Sequence, residues 1–290
     1  MPWLELRIDS SREAAPELEA QLLSLGALSV TLQDNADQPI LEPAPGETPL
    51  WDNTRVVGMF AGDCDTEAIV QNLRLPEETA AVWQILEDRI WEREWMNHFS
   101  PLKCGEKLWI CPSWTPPPEP ESVNIMLDPG LAFGSGTHPT TFLCLNWLSK
   151  QNLSAKSIVD YGCGSGILAI ACLLLGAKQA TCVDIDPQAL IATRENLKNN
   201  RLEHADVELC LPEEFNPPQA DFVVANILAA PLIELAPKIA SLVKPNGKLC
   251  LSGILATQAE MVSSAYANDF IFEPVLIREE WACLTASKHP

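Results

Sequence analysis

A strand-like run that ends in an acid and passes directly into glycines at alternate positions leaves a chain few ways to fold. Here that run is "SIVDYGCGSGILAIA", residues 157–171. Asp160 would close the strand, and Gly162 and Gly164 would let the backbone approach a ligand with no Cβ in the way. The apolar stretch from Ile167 then reads as a helix. The pattern continues. Strand-like "QATCVDID", "DVELCL", "ADFVVAN" and "GKLCLSGIL" alternate with helical "PQALIATRENLKNN", "APLIELAPKIASLV" and "ATQAEMVSSAYAND". Such alternation argues for a parallel sheet covered by helices on both faces. The last two runs, "FIFEPVLIREE" and "WACLTASK", have no helix between them and fit an antiparallel hairpin at the sheet edge.

Folds of this kind bind ligands beyond the carboxyl ends of their strands. The dinucleotide fingerprint places its third glycine three positions after the second, where this chain has Ile167. No phosphate-binding G-x-x-x-x-G-K-[ST] loop is present either. A second acid follows the next strand, in "VDIDP". Asp186 suits the cap of the following helix and Pro187 its first turn. That leaves Asp184 free to accept hydrogen bonds from a ribose diol; the alternative is a second turn-forming carboxylate. Asn226 ends the fourth strand, placed to cap "LAAPLIEL". Upstream, "GSGTHPTT" (134–141) opens a helix at Pro139. The free N–H groups of Thr140, Thr141 and Phe142 would face a ligand carboxylate or cap a neighbouring loop.

The remainder bounds the setting. A length of 290 residues suggests about two domains. The ten cysteines form no C-x-x-C pair, so zinc and thioredoxin-like readings lack support. No apolar run approaches a membrane span, and "MPWLELRIDS" shows no signal peptide, so a reducing cytoplasm is expected. The net charge of −20 disfavours nucleic acid and favours a basic partner. Residues 1–88 read as a β-α-β-β-α-β, ferredoxin-like module interrupted by a Pro-rich loop, with Leu18, Leu22, Leu23 and Leu25 near one helical face. Residues 89–99 read as a Trp-rich helical linker with Trp91 and Trp95 on one face. The prolines of 111–122 mark an exposed turn region. Residues 100–290 form the second domain.

The acid-started glycine loop, the acid after the second strand and the final hairpin resemble the class I S-adenosylmethionine-dependent methyltransferases. With "DPGLAFG", "GSGTHPTT", "DIDPQAL" and "VVANILA" added, the whole chain closely resembles the family that methylates large-subunit ribosomal protein eleven; one small departure is Ser135, where that pattern has Thr. The resemblance implies a doubly wound α/β sheet behind an N-terminal α+β domain that recognises the substrate. It implies S-adenosylmethionine as methyl donor, held by Thr141, Gly162, Asp184 and Asn226, with Asn226 also catalytic and no metal. The substrates would be lysine and N-terminal amines of a basic ribosomal protein, bound by a monomeric cytoplasmic enzyme with no direct nucleic-acid or membrane partner. Two rivals stay open: a methyltransferase acting on a nucleic-acid base or small molecule, and a module that binds S-adenosylmethionine without catalysis. His138 is the obvious general-base candidate, although a histidine before Pro139 is more often structural.

Overall fold

The computed structural model describes residues 3–36, 38, 49–76, 79–86, 99–128, 134, 136–214 and 218–290. The Trp-rich stretch with Trp91 and Trp95, and Ser135, lie outside these residues. The chain divides into two compact units, Met1–Met96 and Asn97–Pro290.

The first unit runs β1 (Trp3–Ser11), α1 (Ala15–Ser24), β2 (Ser29–Asp34), β3 (Asn53–Ala61), α2 (Thr66–Asn72) and β4 (Ala81–Leu86). Its four strands form an antiparallel sheet in the order β2-β3-β1-β4. Alternation along β1 sends Leu6 and Ile8 inward against Leu18 and Leu22 of α1 and Ile69 of α2. Leu23 is 49% exposed. It does not share the buried face of Leu22, because adjacent helical residues lie about 100° apart. The α2 helix starts where Asp65 accepts the Ala68 N–H at 3.0 Å.

The second unit opens with three short strands, β5 (Leu102–Lys103), β6 (Leu108–Cys111) and β7 (Val123–Met126), in a sheet of their own. The sequence reading passed over them. Their runs of two to four residues are too short for periodicity, and the prolines between β6 and β7 dominate the local signal. Then follow α3 (Pro139–Leu148), β8 (Ser157–Tyr161), α4 (Ile167–Leu174), β9 (Gln179–Val183), α5 (Pro187–Asn199), β10 (Asp206–Cys210) and β11 (Ala220–Asn226). The chain finishes with α6 (Ala229–Glu234), α7 (Ala236–Leu242), β12 (Val243–Leu255), a 3-10 turn, α8 (Ala259–Tyr266), β13 (Phe270–Phe272), β14 (Leu276–Arg278) and β15 (Trp281–Lys288).

The large sheet has the order β10-β9-β8-β11-β12-β15-β13, with β14 also on β15. Pairing is parallel from β10 to β12 and antiparallel around β15. From β8 the chain steps outward through β9 and β10, then returns to build β11 and β12 on the other side. That reversal creates a crevice at the carboxyl ends of β8 and β11. Both faces are covered, so period two sorts each strand into two cores. Ile158, Phe222 and Val224 pack toward α3 and α4, while Val159, Val223 and Ala225 pack toward α6, α7 and α8.

Two readings need correction. The expected single helix over 230–243 is two helices broken at Leu235, because Pro237 has no N–H to continue the ladder. The antiparallel pairing at the chain end is present, but β15 lies inside the sheet between β12 and β13. The edge is formed by β13 and β14, which Pro274 separates.

Candidate active site

The crevice holds a cavity of about 470 Å³ at the carboxyl ends of β8, β9 and β11. Gly162 and Gly164 form part of its wall, with Asp184, Asn226, Gly253 and Trp281 among the others. Such a volume suits a drug-sized ligand. Gly162 has φ +77° and its N–H bonds to the Val183 carbonyl at 2.7 Å. A side chain there would run into Ile227, another residue of the cavity wall.

Asp184 is not the free carboxylate expected from its position. One oxygen accepts the Gly164 N–H at 2.8 Å and the other the Asp186 N–H at 3.0 Å. A carboxylate has about four acceptor positions, so each oxygen keeps capacity for a ligand hydroxyl while the clamp sets its direction. Asp186 caps α5 as expected, accepting the Gln188 N–H at 2.9 Å.

Asn226, at the end of β11, donates from Nδ2 to Thr141 Oγ1 at 3.2 Å. Its Oδ1 is buried with no partner within the protein. An acceptor left dry costs about 1–3 kcal/mol, so this oxygen waits for a donor. Thr140 and Thr141 are both fully buried; Thr140 is among the residues around the cavity, and Thr141 is tied to the site by the hydrogen bond from Asn226. Nor are the helix N–H groups all available. The Thr140 N–H faces His138 Nδ1 at 3.4 Å, and that of Phe142 bonds to the His138 carbonyl at 3.1 Å.

His138 caps α3, contacts Thr140 Oγ1 through Nδ1 at 2.8 Å, and stacks edge-on against Trp281 at 4.6 Å. Burial lowers its pKa, against the opposing pull of Glu279 and Glu280. The structural role fits this ring better than that of a proton shuttle.

Asp160 lies fully buried beneath the glycine loop. Its Oδ2 accepts the Ala169 N–H at 3.0 Å, and its Oδ1 has no partner. Burial is the main force raising its pKa to about 7; the Ala169 N–H works against the shift, and the negative charge of Asp184 adds to it. An Asp in the unfolded chain ionises near pH 4, so the folded protein holds an extra proton between about pH 4 and 7. Stability is therefore greatest at the acid end of that window, falls as pH rises through it, and levels off above 7. Asp160→Asn should remove this slope and melt higher than the parent at pH 8. Melting curves of both proteins from pH 5 to 8 check this. Parallel profiles would show that Asp160 does not titrate there.

Sequence reasoning missed Gly253, Trp281 and Tyr161. Gly253 sits at a bulge in β12 with φ +86°, where any side chain would run into the backbone of Ile227. A glycine inside a strand-like run was the available signal for that bulge and close approach.

The donor set fits S-adenosylmethionine. Asp184 offers carboxylate oxygens oriented by two backbone N–H groups, Gly162 and Gly164 leave room along the loop, and Asn226 keeps a buried Oδ1 without a partner. The comparisons agree. A family model described as "Ribosomal protein L11 methyltransferase (PrmA)" matches residues 2–289. Proteins named ribosomal protein L11 methyltransferase from Teredinibacter turnerae and Cellvibrio japonicus are each 55% identical to this chain. The first aligns over 99% of this chain and 97% of its own, the second over 99% of both. The crystal structure of a ribosomal protein L11 methylase from Lactobacillus delbrueckii subsp. bulgaricus superposes with a TM-score of 0.60 at 32% identity, covering 66% of this chain and 100% of that one. The chain therefore belongs to the ribosomal protein L11 methyltransferase (PrmA) family.

Proposed function

We propose that this protein transfers methyl groups from S-adenosylmethionine to lysine side-chain and N-terminal amines of ribosomal protein L11. The observation that carries the reading is Asn226, on the wall of a cavity with glycine backbone and an oriented Asp184, whose Oδ1 is buried without a partner. When bound, S-adenosylmethionine supplies a methyl already activated on its sulfonium. The chain's task is then alignment and exclusion of water. Asp184 and the Gly162–Gly164 backbone hold the nucleoside. Asn226, braced by Thr141, accepts one N–H of the incoming amine and so aims its lone pair. A lysine amine has a reference pKa near 10.4 and must be neutral to attack. The apolar walls from Ile227, Leu228, Pro231 and Leu235 favour that neutral form by desolvation. No side chain is required as a general base.

Asn226→Ala should lower kcat by roughly 10- to 100-fold, the scale of one lost transition-state hydrogen bond, with a smaller effect on cofactor affinity. Steady-state rates beside calorimetric titration separate the two. Equal losses would place Asn226 wholly in cofactor binding, and unchanged turnover would reduce it to a structural residue. Mass spectrometry of L11 from a strain lacking this gene tests the function itself; a fully methylated L11 there would overturn it.

Charge favours the first unit as the recognition domain. Residues 1–96 carry 19 acidic against six basic side chains, so −13 of the chain's −20 lies in the smaller unit. A basic ribosomal protein is drawn to such a field. We place the enzyme in the cytoplasm as a monomer, with no direct nucleic-acid contact. Among the described residues no helix is long and apolar enough to cross a membrane.

A further inference from the structure

Three cysteines far apart in sequence meet under the sheet. Cys144 is on α3, Cys250 on β12 and Cys283 on β15, and each is fully buried. Their sulfur atoms all lie within 4.8 Å of one another, and those of Cys250 and Cys283 are 3.4 Å apart. The strand register explains the meeting. Cys250 stands opposite Thr285, so Cys283, two residues from Thr285, shares its face of the sheet, while Leu251 and Leu284 point to the other core. That shared face is the one α3 covers, and it brings Cys144 down onto the pair.

We infer that this triad is a binding site for one thiophilic monovalent cation, Cu(I). The donors are three soft sulfurs, which select d10 ions such as Cu(I). No fourth His, Cys, Asp or Glu donor completes the group among the described residues, whereas a closed structural zinc site takes four ligands. The sulfur spacing suits a three-coordinate ion at the centre of the triangle after a small outward shift of Cys250 and Cys283. Binding forms Cu–S bonds as the thiols release their S–H protons to solvent, so affinity should rise with pH; no electron is transferred. The buried position makes the ion structural. It would tie α3 to β12 and β15 one turn from Thr141, which braces Asn226. This goes beyond methyl transfer and does not depend on it.

The test is titration of the full-length, metal-free protein under reducing, anaerobic conditions with Cu(I) buffered by a competing chelator. Expected are one copper per chain, a sulfur-to-copper absorption in the ultraviolet and an upward shift of the melting temperature. X-ray absorption of the loaded wild-type protein should show three sulfur neighbours at each copper. Cys144→Ala, Cys250→Ala and Cys283→Ala should each lose the bound equivalent, while Cys172→Ala, at a buried cysteine outside the triad, should retain it. A wild-type protein that takes up no copper against the chelator overturns the inference. So does uptake that persists in a folded Cys250→Ala/Cys283→Ala double variant, or a copper with fewer than three sulfur neighbours. The wild-type spectrum decides the matter even where the alanine variants do not fold.

Discussion

Asp184→Ala is expected to lower S-adenosylmethionine affinity by at least about tenfold, and by roughly 150-fold for each strong bond lost, while the protein stays folded. A hydrogen bond to a charged acceptor contributes about 1.5–3 kcal/mol, which sets this range. The structure adds a second route to the loss. The same carboxylate holds the N–H groups of Gly164 and Asp186, so its removal frees the glycine loop as well as removing the acceptor proposed for the ribose. Asp184→Asn should fall between the two, since one carboxamide oxygen remains while the NH2 group confronts a backbone N–H. Calorimetric titration with S-adenosylmethionine, alongside a melting curve, separates lost binding from lost fold. Unchanged affinity in Asp184→Ala would end the assignment of this residue to the cofactor.

A chain beginning at Ser100 should fold, bind S-adenosylmethionine within a few-fold of the parent and methylate L11 at least about 100-fold more slowly, a loss equivalent to about 2.8 kcal/mol. Folding is expected because the second unit buries two clusters of its own, one on each face of the large sheet. The cavity lining also comes entirely from residues 138–281. The loss of methylation is expected because the most acidic part of the molecule has gone. In the full chain the rate at limiting L11 should fall as salt rises, as screened long-range attraction requires. The shortened chain should show a weaker salt dependence. If it methylates L11 as fast as the parent, the N-terminal unit is not the recognition domain. If it fails to fold, that unit is a stabilising one.

The residues that were legible in advance are those whose roles are local. Asp65 and Asp186 cap helices because a short acid before a helical run meets the free N–H groups one turn on. Gly162, Gly164 and Gly166 all have positive φ, which alternate glycines after a strand foreshadow. The alternation of β8 to β12 with helices was readable from apolar runs long enough to show a period. The short strands β5 to β7 were not, because two to four residues carry none. Leu23 was misplaced because propensity marks a helix without fixing which leucines share its buried stripe.

By itself, then, the sequence determined the fold class, the position of the glycine loop and the acids Asp160 and Asp184. These follow from φ/ψ preferences and periodicities that act between neighbours. Only the tertiary structure decided who meets whom. Asn226 finds Thr141 across 85 positions, Asp184 clamps Gly164 across 20, and Cys250 lies against Cys283 across 33. It also placed β15 inside the sheet and Thr140, not Thr141, among the residues around the cavity. Strand order and register determine such meetings, and they are settled by burying the whole chain at once; no local run of residues contains that information.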